Sequence, residues 1–138
     1  MRFVYLCAAL DESTRRARAI DSPNPAATRK ILGLCRALRG AGHRPLVLSL
    51  GRGRQNASGD AHAACARRTE GIAVVYARFV HRRWITHAVS ALSTAGLVWR
   101  LRRRITGPAS ALIAYNRLWH YVPALILARL SEIGRAHV

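Results

Sequence analysis

The sequence predicts an α/β fold, a doubly wound parallel sheet with helices on both faces, and three observations predict it. Short, near-continuous apolar runs recur, of the kind a parallel sheet buries on both sides. The stretches between them place apolar residues at helical spacing. Strand, helix and strand follow one another within the first 50 residues, and the alternation continues as β-α-β-(loop)-β-α-β-α.

The first strand spans residues 3–9. A signal peptide would place its cleavage site close behind this apolar run, but Asp11-Glu12-Ser13-Thr14-Arg15-Arg16 intervenes, so a buried strand is expected instead. A polar, arginine-rich loop is expected over residues 11–24. Asn24 and Pro25 then open a helix as N-cap and first helical residue. Ile31, Leu34, Cys35 and Leu38 share its apolar face, and Gly40-Ala41-Gly42-His43 ends it. Residues 46–50 form a second buried strand. Residues 51–71, rich in Gly, Ala, Ser and Asn, read as a surface loop, and residues 72–79 as a third strand. A helix is expected over residues 84–104. Its uncharged part, 84–99, is bracketed by Arg82-Arg83 and by Arg100 with Arg102-Arg103-Arg104, and Gly107-Pro108 breaks it. Residues 111–115 are a fourth strand, and Val122–Leu130 begins another helix with Pro123 in its first turn.

The 138 residues are 51% hydrophobic, enough for a real core and too apolar for a disordered basic tail. Lys+Arg number 23 against 6 Asp+Glu, a formal charge of +17, and Lys30 is the single lysine. Arginine codons are GC-rich, so much of this bias is read as genome composition. The positive field still favours anionic partners. Cys7, Cys35 and Cys65 are odd in number and widely spaced; they exclude a disulfide scaffold and point to a reducing compartment. No apolar run reaches the roughly 20 residues a spanning helix needs.

The carboxyl end carries a different signal. Ile133-Gly134-Arg135-Ala136-His137-Val138 back-translates to ATC GGA AGA GCA CAC GTC. With AG before it, from the Glu132 codon, and TGA after it, this is the start of a widely used short-read sequencing adapter. Residues 133–138 are therefore expected to be adapter read-through, and residues 1–132 the opening part of a longer protein.

Few constellations carry chemistry on their own. His62 and Cys65 have ligand-like spacing but no second pair near them, and a structural zinc site needs four ligands; no metal site is expected. A G-x-S-x-G elbow, paired carboxylates and a G-x-G-x-x-G fingerprint are all missing, and Cys7 and Cys35 read as small core residues. The loop after the first strand leads to a helix N-terminus, where free N–H groups attract anions. There Ser22, Asn24 and Thr28 offer hydrogen bonds to a phosphate or a sugar hydroxyl, Asn24 in addition to its capping role. After the fourth strand, Tyr115-Asn116-Arg117-Leu118-Trp119-His120-Tyr121 suits sugar stacking and hydroxyl recognition, and equally suits packing against a neighbouring helix; Tyr115 and Asn116 are the candidates. The helix bounded by Arg82, Arg83 and Trp84 at one end and Trp99, Arg100, Arg102, Arg103 and Arg104 at the other fits a helix lying on anionic lipid. It also fits a helix buried on one face with a solvated basic end.

Taken together, Ser22-Pro23-Asn24-Pro25-Ala26-Ala27-Thr28-Arg29-Lys30-Ile31-Leu32-Gly33-Leu34, then Arg36-Ala37-Leu38, Gly42-His43 and Leu46-Val47-Leu48-Ser49, resemble the opening of family 4 glycosyltransferases. Ala111-Leu112-Ile113-Ala114-Tyr115-Asn116 and Pro123-Ala124-Leu125-Ile126-Leu127-Ala128-Arg129 look like that family's fourth strand and next helix. The resemblance covers nearly all of residues 1–131. It implies the first four strands of the Rossmann-like, acceptor-side N-terminal domain of a GT-B enzyme, incomplete here. It further implies transfer of a sugar from a nucleotide-sugar donor, acting as co-substrate without a cofactor or metal, to a glycan or lipid-linked acceptor. The setting implied is bacterial cell-surface polysaccharide or glycolipid synthesis, in the cytoplasm or on the inner face of its membrane. Two departures stand out. Asn24-Pro25 replaces the glycines many members carry in the first loop. The donor-binding domain with its E-x7-E motif is absent, as is the strand after Leu130 that often carries a catalytic histidine or acid. The chain alone is therefore expected to be inactive and poorly soluble. The alternative is a small basic module binding nucleic acid or an anionic membrane; it lacks a helix-turn-helix signature and an RNP-type aromatic motif. A Rossmann-like enzyme of another class, an epimerase or a response-regulator relative, is disfavoured by the missing glycine fingerprint and acidic pocket.

Overall fold

The computed structural model describes residues 1–20, 25–52, 61–82, 85–105, 109–116 and 119–131. Strand β1 (Arg2–Cys7) is buried from Val4 onward. The arginine-rich segment after it, expected to be a loop, contains helix α1 (Glu12–Ala17). Asp11 caps it by accepting from the Thr14 backbone N–H at 2.8 Å, and Glu12 pairs with Arg15 and Arg16 one turn on. Helix α2 (Pro25–Gly40) forms as expected, though Ser22 and Asn24 lie outside the described residues. Its buried face is Ala27, Ile31, Leu32 and Cys35. Leu34, expected on that face, is exposed because the helix is rotated towards Leu32. The helix closes in a Schellman pair: His43 N–H to Leu38 O at 2.9 Å and Gly42 N–H to Arg39 O at 3.0 Å, with Gly42 at φ +79°.

Strand β2 (Arg44–Ser49) follows. The expected surface loop of residues 51–71 then proves to hold two strands, β3 (Ala61–His62) and β4 (Cys65–Thr69). A two-residue turn with positive φ at Glu70 and Gly71 joins β4 to β5 (Ile72–Tyr76) as a tight antiparallel hairpin. Strand β4 gave no apolar signal because it is the sheet's outer edge, where Arg67 and Arg68 stay solvated. The expected third strand is also split, since β6 (Phe79–Val80) leaves the main sheet and pairs with β3. Helix α3 (Thr86–Ile105), β7 (Ser110–Ala114), a 3₁₀ turn (Trp119–Tyr121) and α4 (Val122–Leu130) complete the described chain. Arg83, Trp84 and the suspected adapter tail at residues 133–138 lie outside it.

The result is a mixed α/β fold whose main sheet has five strands in the order β4-β5-β2-β1-β7. It is mixed, where an all-parallel sheet was expected: β5, β2, β1 and β7 are parallel, and β4 is antiparallel at one edge. Alternation along each strand builds two cores. Tyr5, Cys7, Val47, Val74 and Tyr76 pack with Ile31, Leu32 and Cys35 of α2 on one face. Val4, Leu6, Leu48 and Leu112 pack with Val98 of α3 and Ala124 and Ala128 of α4 on the other. The chain spreads from β1 through β2 to β5 and then returns to place β7 on the opposite side of β1. In open α/β sheets that reversal marks where ligands bind, outside the carboxyl ends of the strands.

Candidate functional site at the carboxyl edge of the sheet

The strand ends at this edge are held by backbone bonds: Leu50 N–H to Cys7 O at 3.0 Å, Ala77 N–H to Ser49 O at 2.8 Å and Tyr115 N–H to Leu6 O at 2.8 Å. The Ser49 hydroxyl donates to Ala9 O and accepts from Gly51 N–H, tying the loops after β1 and β2 together. Thr28 Oγ1 accepts from Leu10 N–H at 3.0 Å, so this candidate ligand residue orients the loop after β1. Tyr76 donates to Asp11 Oδ2 at 2.5 Å while its oxygen accepts from Asp11 N–H at 3.1 Å. Burial pushes the Asp11 carboxyl up, but hydrogen bonds from Ser13, Tyr76 and Thr14 outweigh it and hold the pKa down to about 2.

Arg18 is buried, and no motif pointed to it. Its guanidinium donates to Gly51 O and Ala77 O at 3.0 Å and to Ala63 O at 3.1 Å, and it lies over the Tyr76 ring. Among the described residues, carbonyl oxygens rather than a carboxylate hold it, and burial lowers its pKa. The Cys65 sulfur sits 3.9 Å from Arg18 Nη2, and His62 stacks on Phe79.

A further polar cluster lies on the α3 side. Arg52, just past β2, brings Nη1 to 2.7 Å from His120 Nε2 and 3.1 Å from His87 Nδ1. The two imidazole nitrogens are themselves 2.7 Å apart. Trp119 stacks on His120 at 4.2 Å. His120 is buried, and its pKa is held down to about 4 by burial, then by Arg52 and His87, so its ring is neutral at neutral pH. Burial raises the pKa of Tyr121 beside it. His120 Nδ1, Tyr121 Oη and Ser90 Oγ are buried with no hydrogen-bond partner among the described residues. Each such group costs about 1–3 kcal/mol. The guanidinium sits against both imidazole nitrogens, so the cluster carries a positive charge at its centre.

Among the other candidates, Tyr115 and Asn116 follow β7, Asn116 exposed at φ +60° and the Tyr115 ring 5.4 Å from Lys30 Nζ. Tyr115 packs against the core on the α2 side. Arg82, Trp99, Arg100, Arg103 and Arg104 are exposed, and the Arg102 guanidinium lies 3.6 Å above the Trp99 ring. Among the described residues, no helix is long and apolar enough to cross a membrane. The sequence matches no known family model, no curated protein and no solved structure.

Proposed function

We propose that the chain is the acceptor-side, N-terminal part of a GT-B glycosyltransferase resembling family 4. Its substrates are a nucleotide sugar and a glycan or lipid-linked acceptor of cell-surface polysaccharide or glycolipid synthesis. One observation carries this reading. The parallel strands run β5-β2-β1-β7, the third, second, first and fourth in order of appearance, with helices on both faces and polar loops at the carboxyl edge. That order is compatible with the first half of a Rossmann-like, doubly wound sheet. In this reading Tyr115 and Asn116 meet the acceptor, Thr28 fixes the loop after β1, and the nucleotide is held by a second domain.

Two further features support a continuation beyond residue 132. Strand β7 is an edge of the sheet, and α4 exposes Val122, Ile126 and Leu130, an i, i+4, i+8 stripe. A following strand and helix would cover both. The experiment is to sequence the genomic locus across codon 132. An open reading frame that leaves the adapter sequence and runs into a second domain bearing E-x7-E supports the proposal. A natural stop after the Val138 codon overturns it.

The outer face of α3 favours a second, compatible role. Leu92 is 70% exposed and Trp99 49% exposed on one stripe, with Arg100, Arg103 and Arg104 beside them. We assign this face to an anionic membrane surface, which would hold the enzyme at the cytoplasmic side near lipid-linked acceptors.

A further inference from the structure

We propose that Arg52, His87 and His120 bind a phosphoryl oxyanion at the carboxyl edge of the sheet. The argument starts from hydrogen counting. Three nitrogens lie 2.7, 2.7 and 3.1 Å apart in a closed triangle, and each contact needs a hydrogen between its two atoms. Arg52 Nη1 supplies hydrogens for its own two contacts. The third contact, between the imidazoles, would need a proton on one of them, and that proton would then face the guanidinium hydrogen. The triangle therefore satisfies only two of its three sides. An oxyanion that enters between the three side chains and moves them apart accepts from all three nitrogens and removes the conflict.

The charges point the same way. Glu12 pairs with Arg15 and Arg16, Glu70 with Arg36, and Asp11 with Tyr76, so no described carboxylate reaches Arg52. His120 has no oxygen partner on either ring nitrogen among the described residues, and the buried hydroxyl of Tyr121, the next residue in the chain, has no partner among them either. The three donors come from three elements: the segment after β2, the first turn of α3 and the 3₁₀ turn after β7. Three converging donors match the three free oxygens of a phosphomonoester better than the two of a carboxylate or a phosphodiester. His87 is exposed and gives the site its opening, while Trp119 roofs His120.

Binding is coupled to a proton. The titratable or charged groups acting on His120 are Arg52 from the β2 side and His87 from α3; Arg52 is in electrostatic reach of Tyr121, and Tyr121 of Cys7 in β1. An anion here offsets the Arg52 charge, so His120 takes up a proton and affinity rises as pH falls from 8 to 5.

The test is calorimetric titration of the full chain with inorganic phosphate, glycerol 3-phosphate, dimethyl phosphate and sulfate. Sulfate does not titrate in this range, so its pH dependence belongs to the protein. Arg52→Gln and His87→Gln are expected to weaken phosphate binding at least tenfold. Arg44→Gln removes the same charge at the opposite edge of the sheet and is expected to change it less than twofold. Sulfate is expected to bind at least tenfold tighter at pH 5 than at pH 8. Equal affinity for glycerol 3-phosphate and phosphate assigns the site to a phosphomonoester; exclusion of glycerol 3-phosphate assigns it to the free ion. Either supports the site. Binding that Arg44→Gln weakens as much as Arg52→Gln, or dimethyl phosphate binding as well as phosphate, overturns it. His87 lies at the surface, so its variant tests the site even if Arg52→Gln fails to fold. The inference stands whether or not the chain transfers sugar.

Discussion

Gly51 and Gly42 together test how the carboxyl edge is built. Both have positive φ, +57° and +79°. A methyl added at Gly42 meets nothing within 4 Å, whereas at Gly51 it falls 2.4 Å from Arg18 Nη1 and 3.0 Å from Tyr76 Cδ1. Gly42→Ala therefore carries backbone strain alone, about 1–2 kcal/mol. Gly51→Ala carries the same strain and must also displace a guanidinium that is only 2% exposed and bound to three carbonyls. Losing one such charge-assisted hydrogen bond adds about 1.5–3 kcal/mol. The expected gap between the two variants is about 2 kcal/mol, or roughly 1.3 M in urea midpoint for a slope of about 1.5 kcal/mol/M. Equilibrium urea unfolding followed by tryptophan fluorescence measures it. In an Arg18→Met background the gap is expected to close, a coupling that a double-mutant cycle isolates. Coincident midpoints for Gly42→Ala and Gly51→Ala in the unsubstituted protein would refute the idea that Arg18 is fixed between the loops.

Other outcomes follow from the same geometry. Asp11 has a folded pKa near 2, below its unfolded value, so its stabilisation is complete above about pH 4 and is lost as pH falls towards 2. The loss amounts to about 1–2 kcal/mol, and Tyr76→Phe is expected to shrink it; acid unfolding curves and carboxyl NMR titration of the two proteins check this. Replacing Arg100, Arg103 and Arg104 by Gln together with Trp99→Ala is expected to lower partition onto vesicles rich in anionic lipid by tenfold or more, with no change on neutral vesicles, as sedimentation would read. Charged substitution of the exposed α4 stripe, Ile126→Glu with Leu130→Lys, is expected to raise the soluble yield of the 138-residue chain; light scattering that shows no reduction in association would count against an uncovered face.

What the sequence showed of this fold depended on burial. β1, β2, β5 and β7 are apolar runs because both sheet faces are covered, and α2 and α4 carry helical spacing or a proline at the start, so all six could be read from composition and period. Helix α1 was not legible this way, since its six residues carry no apolar period. Its local signals, the Asp11 cap and Glu12 before Arg15 and Arg16, look like a charged loop, and the Tyr76 bond to Asp11 comes from 65 residues away. Strand β4 is an arginine-bearing edge without an apolar pattern; its one local signal was Glu70-Gly71 between two strands. The sequence offered Tyr115 and Asn116 as candidates because they follow a strand directly, and the structure places them after β7. Arg52, His87 and His120 look scattered along the chain because three elements deliver them separately. Arg18 reads as one arginine among many until its burial is seen.

The central claim is that this chain shapes the acceptor side of a nucleotide-sugar transferase. The most direct measurement expresses whatever reading frame the genomic locus carries through codon 132 and incubates the purified protein with labelled nucleotide sugars and a lipid and glycan acceptor extract. The account predicts labelled sugar on the acceptor with that protein and none with residues 1–132 alone. No transfer from any nucleotide sugar, or turnover by residues 1–132 without a second domain, would contradict it.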